Sequence, residues 1–320
     1  MWLYLVILLG LYFLFRWHRE REVVPNLPDK YVFITGCDSG FGNLLARKLD
    51  GCGMRVLAAC LTQKGADQLK ESATQRLQTV ILDVTDSNSV AAAAQWVKEQ
   101  VGDRGLWGLV NNAGIAVPSA PSEWLSKQDF QRVLDVNLLG LIDVTLSLTP
   151  LVRKARGRII NVSSVVGRIT ICSGGYCISK YGVEAFSDSL RREMNPFGVK
   201  VVIIEPGFFK TTVTDCKIHQ DNIVWAWKQA SPEIKQSYGQ HYFDKSYKMA
   251  EGANVIANSN LSLVTDCMEH GLTALHPRTR YSAGWDAKLI FLPLSYLPTA
   301  VTDALLMLQA PKIVKSPQIN

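Results

Sequence analysis

The chain has 320 residues, 48% of them hydrophobic and 19% charged, which is enough to bury a sizeable core and excludes a disordered polymer. Its 34 basic and 28 acidic residues give a formal charge of +6 without a clustered Lys/Arg stripe, so nucleic acid is not an expected partner. Seven scattered cysteines include no C-x-x-C pair and no histidine at zinc-ligand spacing, which argues for reduced thiols rather than a disulfide framework or a metal site.

Residues 1–17 carry an uncharged run, WLYLVILLGLYFLF, and charge then arrives abruptly at Arg16, His18, Arg19, Glu20, Arg21 and Glu22. There is no basic region before the run and no small-residue cleavage site after it, so a retained membrane anchor is expected rather than a cleaved signal peptide. At about 17 residues it is short for a span, where roughly 20 are usual. Arg16, Arg19 and Arg21 follow the run and no Lys or Arg precedes it. The positive-inside rule therefore puts the remaining chain in the cytosol, on the face of the endoplasmic reticulum, a compartment that suits unpaired cysteines.

After Pro25 and Pro28, apolar β-rich runs at 31–35, 54–60, 77–84, 108–114, 157–164 and 199–207 alternate with helical periodicity near 41–52, 86–101, 126–149 and 174–195. The alternation predicts an α/β fold, a doubly wound parallel sheet with helices on both faces, and the continuous Val/Ile/Leu character of the strands fits burial on both sides. One domain over 28–290 is expected, with 208–260 as an irregular, aromatic-rich lobe over the substrate. The apolar segment 289–320 is interrupted by Pro293, Pro298 and Asp303. It lies in a membrane interface, lines a hydrophobic entrance, or packs on the core.

The first strand runs into Gly36, Cys37, Asp38, Ser39, Gly40, Phe41 and Gly42 and then into a helix, an order that brings backbone N–H groups up to a dinucleotide pyrophosphate. The spacing is G-x-x-x-G-x-G. Asp83 and Val84 end the third strand, where the Asp can reach an adenine amino group. Asn111, Asn112, Ala113 and Gly114 end the fourth, where small residues let the chain pass close to a ligand. Farther on, Tyr176 and Lys180 are four apart and share a helix face, an arrangement in which an ammonium pulls a phenol down toward the range of a general base. Ser164, ending the fifth strand, can bind the same substrate oxygen, and Asn137 is an amide in the middle of a helical pattern.

With these residues the chain resembles the short-chain dehydrogenase/reductase family over 30–215. More narrowly it resembles the family's microsomal retinol and 3α-hydroxysteroid dehydrogenases, through TGCDSGFG (35–42), GGYCISKYGVEAFSDSLRRE (174–193) and HPRTRYSAGWDAK (276–288). The resemblance implies a Rossmann-like sheet and hydride transfer between an alcohol and a nicotinamide, with Asn137, Ser164, Tyr176 and Lys180 as the catalytic set. Tyr176 is the implied base, Lys180 lowers its pKa and binds the nicotinamide ribose, and Asn137 holds a water linking Lys180 to solvent. Pro206 and Gly207 match the family's Pro-Gly turn, and Thr211 stands where the family contacts the nicotinamide carboxamide. The Ser-to-Tyr interval is one residue short of the usual, which keeps Ser163 as an alternative to Ser164. No ribose-reading acid follows the glycine loop by about 20 residues, since the segment reads Cys60-Leu61-Thr62-Gln63-Lys64. Asp38 near the ribose would favour NAD, whereas Lys64 would favour NADP, and the resemblance adds weight to NAD. The expected substrate is a small lipophilic alcohol, with a homo-oligomer possible. A catalytically silent lipid-binding member of the same fold and a sugar-nucleotide epimerase are the rival readings.

Overall fold

The computed structural model describes residues 2–308, 310, 311 and 313, so Met1 and the last residues of the predicted 289–320 segment lie outside the described residues. The chain opens with α1 (Trp2–Glu20), a run without Ser, Thr, Asn or Asp to compete for backbone hydrogen bonds. Its large apolar side chains from Tyr4 to Trp17 are exposed wherever they are described. Its end is clamped to the body: Glu20 pairs with Arg16 and Arg278, and His270 Nε2 lies 2.7 Å from the Glu20 carbonyl. Beyond it, Val24 N donates to the Thr273 carbonyl and Leu275 N to the Glu22 carbonyl.

The body alternates strand and helix: β1 (Tyr31–Ile34), α2 (Gly40–Gly51), β2 (Arg55–Cys60), α3 (Gln63–Glu71), β3 (Leu77–Ile81), α4 (Ser87–Val101) and β4 (Gly108–Asn111). It continues through α5 (Lys127–Leu134), a π-helical turn (Asp135–Gly140), α6 (Leu141–Lys154), β5 (Arg158–Val162), α7 (Gly175–Met194) and β6 (Lys200–Pro206). Then come α8 (Cys216–Gln229), α9 (Pro232–Ile256), α10 (Ser262–Thr273), β7 (Arg280–Ala283), α11 (Leu292–Leu294) and α12 (Thr299–Met307). The lobe expected to be irregular is therefore largely helical, with α9 kinked at Gly239. Its aromatics pack on one another and on Trp124, with ring centres 4.7 Å apart for the tilted Trp124–Trp227 pair and 4.9 Å for the edge-on Tyr238–Tyr242 pair, so their signal is a small core of their own.

All seven strands are parallel, in the order β3-β2-β1-β4-β5-β6-β7. Strand alternation sends Val32, Ile34, Val56 and Ala58 into one core layer and Phe33, Leu57 and Ala59 into the other, so both sheet faces are dry. The Val, Ile, Leu and Phe side chains among them each contribute roughly 1.5–3 kcal/mol on burial. β7 was not expected because RYSA has no apolar run. Arg280 ties it to α7 through Glu184 at 2.7 Å and Asp188 at 2.8 Å. Residues 127–154 form a helical stretch long and apolar enough to cross a membrane by length and composition, but Val133, Val144, Leu148 and Val152 are buried in the body. The order reverses between β1 and β4, and crevices beyond strand ends at such a switch point are where open α/β sheets bind ligands.

Candidate active site

A cleft of about 490 Å³ opens beyond the carboxyl ends of the strands, and most of the predicted nucleotide residues line it. The turn after β1 is built for close approach. Gly36 has φ +70° and the Ala113 backbone against it, while a Cβ on Gly42 would stand 2.4 Å from the Gly36 carbonyl. Ser39 precedes α2 in extended conformation and makes no capping hydrogen bond, so the helix's first N–H groups are available to an anion. Thr35 Oγ1 accepts from Asn112 N and Ala113 N, and Asn112 Nδ2 donates to the carbonyls of Thr35 and Gly36. The β4 end is thus stapled to the glycine turn.

Asn111 does not face the cleft. Its amide donates to Thr145 Oγ1 and Asn161 Oδ1 at 2.8 Å each in a buried network, and its neighbour Asn112 lines the wall instead. The strand's two-residue alternation turns one asparagine in and the next out. Asp38 reaches the end of β2, where its carboxylate accepts from Leu61 N at 2.8 Å, Thr62 N at 3.0 Å and Thr62 Oγ1 at 2.7 Å. An acid therefore does stand at the end of β2, although it comes from the glycine loop. Asp38, Leu61 and Thr62 line the cleft and Lys64 is not among its lining residues. Asp83 Oδ1 accepts from Thr85 N and Oγ1, and Asp83 and Val84 line the cleft, with Gly40, Phe41, Ala113 and Gly114 nearby. Pro206, Gly207 and Thr211 close it on the far side.

Ser164 and Tyr176 stand where this cleft meets a second cavity of about 290 Å³, lined mainly by apolar groups that include Val165, Val166, Ile171, Phe208, Ile223 and Met249. Ser164 and Tyr176 line both cavities, with Ser164 Oγ donating to the Pro206 carbonyl at 3.4 Å, whereas Ser163 Oγ donates to the Lys180 carbonyl at 3.3 Å. The shortened Ser-to-Tyr interval thus leaves Ser164 with the tyrosine. Lys180 is buried, its Nζ donating to the Val162 carbonyl at 2.9 Å and lying 5.7 Å from the Tyr176 ring centre.

The expected pull of Lys180 on the phenol is not what the protein groups produce. Burial, and after it the Cys172 and Cys177 thiols, raise Tyr176 above its ordinary value, and only Ser164 acts downward. Burial also pushes the Lys180 ammonium down to about 8. Asn137 is fully buried in the π-turn, an insertion that recurs at functional sites. Its Oδ1 accepts from Ile115 N, and Nδ2 donates to the Ile115 carbonyl and to Ser179 Oγ. Both amide donors are spent on protein, so a water-holding role is left to its oxygen and the Ile115 carbonyl.

A family model described as short chain dehydrogenase matches residues 30–222. The chain belongs to the short-chain dehydrogenase family. It is an oxidoreductase, and its family relatives extend the match to the full length. Retinol dehydrogenase 16 of Homo sapiens is 63% identical over 316 residues, covering 99% of this chain and 100% of its own. Retinol dehydrogenase 7 of Rattus norvegicus is 64% identical over 306 residues, 96% of each chain. The 17-beta-hydroxysteroid dehydrogenase type 6 of Homo sapiens is 61% identical over 312 residues, 98% of each. Among solved structures, a short chain dehydrogenase/reductase from Burkholderia phymatum in complex with NAD superposes with TM-score 0.67, covering 91% of this chain and 98% of that one at 21% identity.

This family works with a nicotinamide dinucleotide, and the residues present fit one: an uncapped helix N-terminus, a glycine turn whose Gly36 and Gly40 line the cleft while Gly42 packs against the Gly36 carbonyl, and a long cleft ending at Tyr176. Sequence reasoning missed the supports. Asp286, buried, accepts from Phe208 N at 2.7 Å and fills the space beside Gly207. Asn112, one residue along from Asn111, was readable only by deciding strand phase.

Proposed function

We propose that the chain is an NAD-dependent dehydrogenase of lipophilic alcohols, oxidising retinol to retinal and 3α-hydroxysteroids to ketosteroids. The observation that carries this reading is the apolar cavity joined to the dinucleotide cleft at Ser164 and Tyr176. The names of the relatives support the substrate class. An apolar body buried there contributes about 25 cal/mol per Å², so one hydroxyl gripped at the junction is enough polar recognition.

When bound, the nicotinamide supplies the acceptor for the hydride that leaves the alcohol carbon. Ser164 holds the substrate oxygen, and Tyr176, once its own phenol proton has passed to solvent, takes up the hydroxyl proton as the phenolate. Lys180, with its pKa near 8, takes up and releases protons close to neutral pH, and a water held by the Asn137 oxygen and the Ile115 carbonyl would carry them to solvent. Asn137 keeps that edge in register. NAD is favoured over NADP because the Asp38 carboxylate lies at the ribose end and would repel a 2′-phosphate.

Residues 1–17 anchor the enzyme in the endoplasmic reticulum membrane, a reading supported by the exposure of the apolar α1 side chains. The catalytic body faces the cytosol. The exposed apolar residues Tyr296 and Leu297, between α11 and α12, and Val301 and Leu305 of α12 lie on the lipid surface. Exposed Leu139, Leu146, Ile178 and Tyr181 support a homo-oligomer. A panel of retinoids, 3α-hydroxysteroids and short soluble alcohols with NAD and NADP tests the reading, and oxidation of the soluble alcohols alone would overturn it. Binding of the lipids without turnover would favour the silent lipid-binding member, against which the convergence of Asn137, Ser164, Tyr176 and Lys180 argues. Glycan on exposed Asn260, or protease protection of the body in sealed microsomes, would reverse the orientation.

A further inference from the structure

Cys172 and Cys177 are separated in sequence by the turn at Gly174, which has φ +89°, yet their Sγ atoms lie 3.2 Å apart. Cys177 sits in the first turn of α7 with its sulfur 3.3 Å from the Cys172 carbonyl, and helix N-termini favour a thiolate. Hydrogen bonding from Cys172 pulls Cys177 down to about 6, and the same contact raises Cys172. Cys172 lines the substrate cavity, which gives a small oxidant a way in, and Cys177 is buried behind it next to Tyr176.

We propose that hydrogen peroxide entering by the substrate cavity oxidises Cys172 and Cys177 to an intramolecular disulfide that reversibly switches off turnover. One thiolate attacks a peroxide oxygen, the O–O bond breaks, and the leaving hydroxide takes a proton to become water. The second sulfur then attacks the sulfenic acid, the S–S bond forms, and the sulfenic oxygen leaves as a second water. Two thiols and one peroxide give one disulfide and two waters. Bonding draws the sulfurs from 3.2 Å to about 2.05 Å. That movement pulls the cavity wall at Ile171 and Cys172 toward the helical turn carrying Tyr176, while Ser119 Oγ holds the intervening Ser173 carbonyl at 2.8 Å. The effect on turnover rests on the role of Tyr176 proposed above, whereas the disulfide itself does not.

The test treats the purified full-length enzyme with hydrogen peroxide and reads intact mass, peptide map and alcohol oxidation. A mass loss of about 2 Da and a linked Cys172–Cys177 peptide are expected. Because a misplacement of about 1 Å costs up to about 10²-fold, turnover should fall at least about tenfold and return with dithiothreitol. Cys177→Ser, measured against its own turnover before treatment, should keep that turnover after peroxide. Cys172→Ser, read by mass alone, should also lack the linkage. Free thiols at both positions after treatment, or oxidation of either without linkage, overturns the site. A linked peptide with unchanged turnover, or Cys177→Ser inactivated as fast as the parent, overturns the switch.

Discussion

Lys180→Met should separate stability from activity in this enzyme. Lys180 is 5% exposed, and burial moves its ammonium from an ordinary 10.5 down to about 8. At about 1.4 kcal/mol per decade, carrying that charge at neutral pH costs the fold about 3 kcal/mol relative to the neutral amine. Methionine has similar reach and no charge, but it leaves the Val162 carbonyl without the donation Lys180 makes at 2.9 Å, a loss of about 1–2 kcal/mol. The balance is a gain of about 1–2 kcal/mol at pH 7, or a Tm higher by about 2–4 °C. The sign of the pH dependence follows from the folded value lying below the unfolded one. Between about 8 and 10.5 the unfolded chain binds more protons, so the parent gains stability as pH rises through that window. The variant has no such gain. Thermal unfolding in detergent at pH 7 and pH 10 should therefore show the variant ahead at the first and behind at the second, with turnover reduced at least about 10²-fold throughout. A variant less stable than the parent at pH 7 by a margin that does not change with pH would refute the argument.

Three further substitutions probe separate parts of the site. Tyr176→Phe should abolish turnover, by at least about 10²–10⁴-fold, while NAD titration by fluorescence quenching gives a Kd close to the parent's. Asp38→Asn should raise the NADP-to-NAD ratio of kcat/KM at least about tenfold, because it removes the carboxylate at the ribose end; an unchanged ratio would assign that preference elsewhere. Gly42→Ala places a methyl 2.4 Å from the Gly36 carbonyl and 2.5 Å from Asn112 Nδ2. It should weaken NAD binding by about 1–3 kcal/mol in calorimetry.

The parallel sheet was legible because β1, β2, β5 and β6 are buried on both faces, and burial on both faces leaves an unbroken apolar run in the sequence. β7 was invisible for the opposite reason: it is a short edge strand whose Arg280 and Ser282 face polar neighbours, and Arg280 is held by Glu184 and Asp188 from another element. α3 escaped notice because QKGADQLKE is mostly polar with a glycine inside, and its start depends on Thr62 accepting from Gly65 N. Residue types at the site were readable, but their electrostatics were not. The four-residue spacing of Tyr176 and Lys180 carries no information about the two thiols beside the phenol or about the Val162 carbonyl that occupies the ammonium. Likewise the amide of Asn137 was conspicuous in a helical pattern, while the π-turn that turns it toward Ile115 has no sequence period of its own.

The clamp at Glu20 removes the flexible stalk that a tethered enzyme could otherwise have. Arg278 holds the Glu20 carboxyl down at about 2, so the ion pair persists across physiological pH, and the Val24 and Leu275 amides continue the attachment past the helix end. If residues 1–17 insert in lipid as proposed, this clamp makes the height of the cavity mouth above the headgroups a fixed dimension of the molecule rather than a fluctuating one. The chain can then be tuned like a ruler. Each residue deleted from the apolar run draws the body about 1.5 Å toward the bilayer. Because that run is apolar all round, the accompanying rotation of about 100° per residue leaves its lipid contacts unchanged.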